Sequence, residues 1–247
     1  MQRDFSPPWA SIDEVAADVM ACPRCRLSET RTNAVPGDGS SSAAVMFIGE
    51  GPGQNEDQQG LPFVGRAGKL LDSLLADVPL KREDVFITNV VKCRPPGNRD
   101  PQPDEVEACL PYLQAQIALI RPRVIVTLGR HSMARFYPEG KISKDHGRII
   151  NIGERVLLPL YHPAAALRNQ ALEKTLREDI RRIPEAIRES LRIGRKASPP
   201  SAPGGAAPKA PDTKETAQAY TIHPPQPPQS SQRDTGNEDD KGQMSLF

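Results

Sequence analysis

The stretch Ala-Val-Met-Phe-Ile (residues 44–48) runs directly into the turn Gly-Glu-Gly-Pro-Gly (residues 49–53), and this junction decides how the chain folds. A short apolar run that stops abruptly at a turn is typical of a fully buried strand. Glycine permits close approach by another molecule, and proline fixes the direction in which the chain leaves. In an open α/β sheet, ligands bind beyond the carboxyl ends of the strands. The junction therefore predicts a strand that delivers a small-molecule site, with Glu50 at its lip and Phe63 returning to it.

Two other interpretations of this glycine-rich turn compete with a ligand site. A phosphate loop is disfavoured because residues 49–53 lack the dinucleotide-binding spacing. The later segment Gly-Arg-Ala-Gly-Lys (residues 65–69) lacks the four-residue gap and the Ser or Thr of a Walker loop. A turn that only reverses the chain stays open on these residues alone.

The composition of the chain changes sharply near residue 197. Of the 26 prolines in 247 residues, nine lie in residues 197–247, which also carry 4 Lys/Arg and 6 Asp/Glu. The preceding residues have a globular and weakly basic composition, which permits nucleic-acid binding without indicating it. We therefore expect a folded domain over residues 1–196 and a disordered, Pro-rich linker over residues 197–242.

The chain carries no signal for a membrane or for export. No run of 18 apolar residues is present, and the N-terminus lacks the apolar core of a signal peptide. These features predict a cytoplasmic protein without membrane contact, in a compartment where thiols stay reduced. The four cysteines then suggest metal ligation or catalysis rather than disulfides.

Strand and helix patterns alternate along the rest of the domain. Further buried strands are predicted over residues 84–91 and 123–129, and a strand pair over residues 149–152 and 156–160. The alternation predicts an α/β fold with a mostly parallel sheet and helices on both faces. Three strand ends would then gather Glu50, Asn89 and His162 on one edge of the sheet.

Helical patterns fill the gaps between these strands. A capping box at residues 11–14 predicts a helix start, and an apolar stripe predicts a helix over residues 66–78. A helix from residue 104 contains Pro111, which is expected to threaten its continuity. Residues 171–193 predict one long amphipathic helix that breaks or bends near Pro184.

The four cysteines follow the spacing Cys22-x2-Cys25-x67-Cys93-x15-Cys109. Four thiolates hold either Zn²⁺ or an iron–sulfur cluster. Structural zinc usually takes two close pairs, so the split second pair slightly favours iron–sulfur. Unligated cysteines in a reduced core remain the alternative.

Five segments, taken together and in order, resemble the family 4 uracil-DNA glycosylases, the iron–sulfur members of the uracil-DNA glycosylase superfamily. The resemblance covers about residues 20–185. The segments are Cys-Pro-Arg-Cys-Arg-Leu (22–27), Gly-Glu-Gly-Pro-Gly-Gln-Asn-Glu-Asp (49–57), Gly-Leu-Pro-Phe-Val-Gly-Arg-Ala-Gly (60–68), Thr-Asn-Val-Val-Lys-Cys-Arg-Pro-Pro-Gly-Asn-Arg (88–99) and His-Pro-Ala-Ala-Ala-Leu (162–167).

The resemblance implies a three-layer αβα fold with a central four-stranded, mostly parallel sheet. It implies a monomeric enzyme, associated with the bacterial nucleoid, that hydrolyses the N-glycosidic bond of deoxyuridine in single- or double-stranded DNA. It also implies a structural [4Fe–4S] cluster on the four cysteines Cys22, Cys25, Cys93 and Cys109.

The residue roles that the resemblance implies agree with the chemistry of a flipped base. Phe63 offers an aromatic face for stacking. Asn89 has one donor and one acceptor, so its amide can pair with O4 and N3–H of uracil but is mismatched with cytosine. The turn Gly49–Gly51 can close on the remaining edge. His162 can donate toward O2, where charge builds as the base leaves.

Two glycines depart from the pattern of the best-known branch of the superfamily, which has an Asp at the position of Gly51 and a Tyr at that of Gly53. The strong general base is therefore missing, and Glu50 and Glu56 are the candidates that position water. We hypothesise that Glu56 fills the space beside Gly53 and excludes thymine.

Two further sites follow from the same sequence. Leu167 and Arg168 could wedge into the space left by a flipped base, although a helix start with a buried Leu fits equally. The chain ends with a peptide similar to the one by which bacterial repair proteins dock onto the sliding clamp, and a frayed end is the alternative. Its candidate contact residues are Gln243, Leu246 and Phe247.

Two other classes of function remain open on the sequence. One is a non-catalytic iron–sulfur DNA-binding module tethered to the clamp, and the other is a zinc-held nucleotide-binding protein. The presence of Glu50, Phe63, Asn89 and His162 together disfavours a pocket that has lost its chemistry.

Overall fold

The computed structural model describes residues 7–197, and a single sheet forms its centre. The strands are β1 (Asp38–Gly39), β2 (Val45–Gly49), β3 (Phe86–Asn89), β4 (Val124–Leu128), β5 (Ile150–Ile152) and β6 (Arg155–Leu160). Their order across the sheet is β1-β3-β2-β4-β6-β5. The four inner strands are parallel, and the two edge strands pair antiparallel to their neighbours.

The α/β class with a mostly parallel sheet is confirmed, but the expected number of four strands is wrong. The four predicted parallel strands are all present as the inner strands. The extra strands are the edges β1 and β5, of which β5 forms the expected pair with β6. β1 consists of only two exposed residues, Asp38 and Gly39, whose composition carries no strand signal.

Helices cover both faces of the sheet. They are α1 (Ile12–Ala21), α2 (Leu27–Thr30), α3 (Gln54–Gln59), α4 (Arg66–Leu75), α5 (Pro103–Ile120), α6 (Arg130–Met133), α7 (Ile142–Asp145), α8 (Pro163–Ala166), α9 (Gln170–Ile180) and α10 (Ile183–Ala197). None of these helices, which span the part of the chain between residues 7 and 197, has the length and apolar character needed to cross a bilayer.

Strand residues alternate between two apolar cores because successive side chains point to opposite faces of a sheet. Val45 and Phe47 of β2 pack in one core with the leucines of α4 and with α9 and α10. Met46 and Ile48 pack in the other core with α1 and α5. Cys93 and Cys109 belong to this second core.

Several helix ends differ from the sequence-based expectations. α4 ends at Leu75, three residues before the expected end at Val78. α5 continues through Pro111 over its full 18 residues. The long C-terminal helix is broken as expected, and α10 begins at Ile183 so that Pro184 lies in its first turn. Proline is tolerated there because the first amide groups of a helix have no partner within it.

The residues that follow the four parallel strands all lie at the same edge of the sheet. Beyond β2 and β3, the backbone bonding continues, since the amides of Val90 and Val91 donate to the carbonyls of Gly49 and Glu50. Beyond β4 and β6, the amide of Gly129 donates to the carbonyl of Leu160. The loops that follow β2, β3, β4 and β6 therefore begin side by side.

Candidate active site

A cavity of about 710 Å³ opens at this edge of the sheet, and we call it the strand-end cavity. It lies where the four inner strands end, as expected for a parallel sheet. The candidate residues predicted from the sequence that line it are Glu50, Gly51, Glu56, Phe63, Asn89, His162 and Arg168.

Close packing between two residues that line the cavity, Asn89 and Phe63, depends on a glycine. Gly49 ends β2 and lies opposite Asn89 in the parallel ladder with β3. A Cβ atom at Gly49 would overlap the Oδ1 atom of Asn89 and lie 2.7 Å from Cζ of Phe63. Because Gly49 has no side chain, the amide of Asn89 and the ring of Phe63 can both pack against its backbone.

Asn89 carries an unused hydrogen-bond acceptor. Its side chain is 2% exposed, and within residues 7–197 its Oδ1 atom has no hydrogen-bond partner. A buried amide oxygen without a partner costs about 1–3 kcal/mol. Asn89 lines the cavity, so this unsatisfied amide belongs to a residue that a bound ligand can contact.

His162 has a defined tautomer. It follows β6 and caps α8, and its Nδ1 atom accepts a hydrogen bond from the amide of Ala164 at 3.1 Å. The proton of the neutral ring therefore sits on Nε2. Burial lowers the pKa of His162 to about 4, although the carboxylate of Glu56 opposes this shift. His162 is thus a neutral hydrogen-bond donor at pH 7.

Phe63 is held in a strained backbone conformation. Its φ angle is +51°, a region that bulky residues seldom adopt. Gly68 of α4 makes this possible, since a Cβ atom there would collide with the carbonyl group of Phe63. The guanidinium of Arg82 donates to the carbonyl of Pro62. The fixed ring of Phe63 stacks on His162, with 5.8 Å between ring centroids.

Glu56 has one engaged carboxylate oxygen. Oε1 accepts from the amides of Val64 and Gly65, at 2.9 and 2.8 Å, and so holds the loop that carries Phe63. The other oxygen, Oε2, lies 2.7 Å from where a Cβ atom of Gly53 would be. The carboxylate therefore occupies the space beside Gly53.

Glu50 belongs to a charged group that the sequence patterns do not reveal. Its carboxylate lies within 4.8 Å of Asp100 and of the His131 ring. Burial raises the pKa of Glu50 and Asp100 adds to the shift, while His131 and Arg130 oppose it. Asp100 Oδ2 lies 3.1 Å from Nε2 of His131 and 3.2 Å from Nη2 of Arg130. Arg130 and His131 directly follow Gly129, the glycine after β4, so their position at a strand end is already visible in the sequence.

The proposed wedge residues lie next to His162 in the chain. Leu167 directly follows α8 as its C-cap residue and is 44% exposed, so the alternative of a buried Leu at a helix start is wrong. Arg168 lines the strand-end cavity.

The four cysteines come together on the face of the sheet that carries the second core, and we call this group the cysteine cluster. Cys22, Cys25, Cys93 and Cys109 all line one small pocket. Three of the sulfurs accept hydrogen bonds: Cys22 from the amide of Arg24 at 3.5 Å, Cys93 from the Arg31 guanidinium at 3.1 Å and Cys109 from the amide of Lys92 at 3.2 Å.

The chemistry of these thiols suits a bound cation. Burial raises the pKa of Cys25 and of Cys93, and it raises the pKa of Cys109 to about 12. Buried thiols become thiolates when they ligate a metal, and N–H donors then stabilise the sulfur charge. The donor set of four converging sulfurs fits zinc or an iron–sulfur cluster.

The predicted linker and clamp-binding peptide lie outside the described residues, apart from Ala197, which ends α10. Nothing in the fold bears on Gln243, Leu246 or Phe247.

Comparisons with known proteins agree with the resemblance drawn from the motifs. The family model described as "Uracil DNA glycosylase superfamily" matches residues 36–183. A type-4 uracil-DNA glycosylase of Saccharolobus solfataricus is 52% identical over 187 residues, which cover 72% of this chain and 87% of the relative. One of Thermotoga maritima is 45% identical over 181 residues, with 71% and 94% covered. A type-5 uracil-DNA glycosylase of Pyrobaculum aerophilum is 30% identical over 168 residues, with 60% and 74% covered.

The family model matches more than half of the chain, and the matched region contains the strand-end cavity with Glu50, Asn89 and His162. The type-4 relatives are matched over most of their own length. The chain therefore belongs to the uracil DNA glycosylase superfamily, in its type-4 branch.

Proposed function

We infer that this protein is a DNA-repair glycosylase that takes uracil out of the DNA stack and hydrolyses its N-glycosidic bond, leaving an abasic site. The observation that carries this inference is the amide of Asn89, a residue that lines the strand-end cavity and whose buried Oδ1 atom has no partner among the described residues. A flipped base supplies such a partner along its Watson–Crick edge.

Recognition of uracil rests on Asn89 and Phe63. The amide oxygen accepts from N3–H of uracil, and the amide nitrogen donates to O4. Cytosine presents an acceptor at N3 and a donor at N4, so both bonds would be lost. The ring of Phe63 is fixed by Gly68 and Arg82, and it offers a preformed stacking surface. The turn Gly49–Gly51 closes on the remaining edge of the base.

Departure of the base is assisted by His162. As the bond to the sugar breaks, negative charge develops on O2 of uracil, and Nε2–H of His162 donates to it. A neutral donor that is already oriented by Ala164 and Phe63 needs little reorganisation during the reaction. The low pKa of His162 is compatible with this role, because charge stabilisation comes from a hydrogen bond rather than from proton transfer.

The attack of water requires a carboxylate near the cation-like sugar. We assign this role to Glu50, which lines the cavity and whose carboxylate lies within 4.8 Å of Asp100 and His131. Glu56 has only Oε2 free, since Oε1 is held by Val64 and Gly65. Its position beside Gly53 supports the role of a wall that excludes the 5-methyl group of thymine.

The cysteine cluster is proposed to hold a [4Fe–4S] cluster on Cys22, Cys25, Cys93 and Cys109. When bound, the cofactor supplies cross-linking of the surrounding loops rather than bond-breaking chemistry. Cys93 follows the strand end that carries Asn89, so ligation fixes a loop of the cavity. A brown protein with about four irons per chain supports this assignment, and a colourless, zinc-containing protein would refute it.

The terminal peptide is proposed to dock onto a DNA sliding clamp through Gln243, Leu246 and Phe247, with residues 197–242 as a flexible tether. The supporting observation is the sequence of the peptide itself. A pull-down with purified clamp tests the proposal, and equal capture after deletion of residues 243–247 would refute it.

The activity is tested with an oligonucleotide that contains a single uracil. We expect Asn89→Ala and His162→Ala each to lower the single-turnover excision rate at least about 100-fold, since each removes a bond made to the reacting base. The matched control Asn151→Ala changes an exposed residue of β5 and should leave the rate unchanged. Full-length protein without excision activity would instead favour the non-catalytic DNA-binding module.

A further inference from the structure

A fully buried lysine lies between the strand-end cavity and the cysteine cluster. Lys92 is 1% exposed. Its ammonium nitrogen donates three hydrogen bonds, all to uncharged oxygens. The acceptors are Thr88 Oγ1 at 2.6 Å, the carbonyl of Asn89 at 2.8 Å and Gln116 Oε1 at 2.7 Å.

Lys92 has no carboxylate partner within the described chain. Among residues 7–197, none of the ion pairs within 4.0 Å includes it, although Asp104 and Glu105 of α5 are paired with arginines. Taking an ammonium out of water without an anion costs several kcal/mol, and neutral hydrogen bonds recover only part of this. A fully buried lysine at this site therefore calls for negative charge nearby.

The nearest source of negative charge is the cysteine cluster. Lys92 lines the same small pocket as the four sulfurs, and its own amide donates to Sγ of Cys109 at 3.2 Å. Cys93 is its neighbour in the chain. Four thiolates around an iron–sulfur core carry a net negative charge, and Lys92 is the buried cation beside them.

The other side of Lys92 faces the uracil-binding machinery. Its ammonium bonds to the carbonyl of Asn89, so it closes the turn that leads from this residue to Cys93. Thr88 and Gln116 complete the arrangement, since both also bond to the carbonyl of Pro36. Gln116 lies on α5, the helix that carries Cys109. The ammonium thus ties the end of β3 to the cluster-bearing helix.

We propose that Lys92 is a positioning residue whose ammonium serves as the buried counter-ion of the cysteine-bound cluster and, through the carbonyl of Asn89, holds the uracil-recognising amide in place. The inference rests on the cofactor assigned above. It predicts that one charge influences both the reduction potential of the cluster and the affinity for uracil.

The experiment uses the full-length, cluster-containing protein and the variants Lys92→Met, Lys92→Gln and Lys92→Arg. Lys69→Met is the matched control, because Lys69 is exposed on α4, across the sheet from the cysteines. The readouts are iron content, the one-electron reduction potential of the cluster and the inhibition constant of free uracil.

We expect removal of the positive charge to favour the oxidised, less negative form of the cluster. In Lys92→Met and Lys92→Gln, the ratio of oxidised to reduced cluster at a given potential should rise about tenfold, which equals a downward shift of about 59 mV. The inhibition constant of uracil should rise about tenfold in the same variants. Lys92→Arg keeps the charge, so its potential should stay near that of the parent, as should that of Lys69→Met.

Each result decides the inference. An unchanged potential in the iron-containing Met or Gln variant would overturn it, as would an unchanged inhibition constant. If both neutral variants fail to retain iron, retention by Lys92→Arg supports a need for charge, and failure of Lys92→Arg as well overturns it in favour of side-chain shape. An iron-free parent protein would remove the cofactor assignment itself. The potential is measured without DNA, so a failure of glycosylase activity is detected separately.

Discussion

The strand-end cavity and the cysteine cluster flank the same strand end, yet they are built in opposite ways. In the cavity, Asn89 has a buried oxygen without a partner within residues 7–197, and Phe63 keeps a strained backbone. Around the cysteines, polar groups have partners, since the sulfurs of Cys93 and Cys109 accept hydrogen bonds from the Arg31 guanidinium and the Lys92 amide. Unpaired and strained groups mark the place where a ligand supplies missing interactions, whereas paired groups mark the scaffold.

The largest effect is expected for Gly49→Ala. The new methyl group overlaps Asn89 Oδ1 and approaches Phe63, so it displaces the two side chains proposed to recognise the base. The kcat/KM for uracil excision should fall at least about 100-fold, because small displacements of binding groups have effects of this size. Circular dichroism should show that the fold persists.

Gly153→Ala serves as the control, because we expect it to lower stability without lowering excision. Gly153 has a φ angle of +72°, and apart from its two chain neighbours no residue among 7–197 has an atom within 4 Å of the place that its new methyl group would take. Alanine therefore adds backbone strain there without touching the cavity. Stability should fall by about 1 kcal/mol while excision stays normal. Excision by Gly49→Ala within tenfold of the parent would contradict the assignment of the cavity.

The next largest effect is expected for Cys109→Ser on the scaffold side. Loss of one sulfur ligand should release iron and lower the Tm by roughly 10 °C, because cofactor binding contributes several kcal/mol to folding. Visible absorption and a thermal melt are the measurements. Ala108→Ser introduces the same hydroxyl at the neighbouring position that lines the same pocket, and it should retain iron. An unchanged Tm in Cys109→Ser would show that the cysteines do not support the scaffold.

A smaller effect, visible in the pH profile, is expected for Glu50→Gln. Burial and Asp100 raise the pKa of Glu50, so its anionic form is lost on acidification at a higher pH than for an ordinary carboxyl. The parent enzyme should therefore lose rate on the acid side as Glu50 takes up a proton. His162 has a pKa of about 4 and stays neutral across this interval.

Glu50→Gln should lower the single-turnover rate about tenfold at pH 7.5 and remove this acid limb, because glutamine cannot titrate. Glu139→Gln, an exposed substitution, should leave the profile unchanged. Persistence of the acid limb in Glu50→Gln would assign the titration to another group.

The smallest effect is expected for the specificity of Glu56→Ala. Removal of the carboxylate opens the space beside Gly53, so excision of thymine should become detectable at about 1% of the uracil rate in the variant, a steric discrimination of a few kcal/mol. Uracil excision itself should fall several-fold, since Val64 and Gly65 lose their acceptor. Glu83→Ala, on the surface, is the control. No activity on thymine or 5-substituted uracil would make the hypothesis of a Glu56 wall wrong.

Much of the architecture follows from local patterns in the chain. The four inner strands are apolar runs bounded by glycine or polar residues. Because helical segments alternate with them along the chain, the sequence implies a parallel sheet. The convergence of Glu50, Asn89 and His162 can then be predicted from the sequence, because the carboxyl ends of parallel strands lie at one edge of the sheet. β1 escapes prediction because Asp38 and Gly39 become a strand only through pairing with β3.

The unpredicted features of the site depend on contacts between distant parts of the chain. Asp100 reaches Glu50 and His131 only after the Pro-rich loop folds back, and no spacing rule encodes that approach. The burial of Lys92 could not be predicted, since a lysine between two valines and a cysteine looks like the exposed end of a strand. The engagement of one oxygen of Glu56 likewise depends on where Val64 comes to lie.

The two edge strands have a consequence for the behaviour of the protein at high local concentration. A parallel sheet whose outer strands were β3 and β6 would present long rows of free amide and carbonyl groups to neighbouring molecules. β1 and β5 pair with β3 and β6 and so cover these rows. The new edges of the sheet are then strands of only two and three residues. Short edges are a protection against strand-to-strand aggregation. The dipeptide at residues 38–39 thus contributes to colloidal stability, a property unrelated to the chemistry at the other ends of the strands.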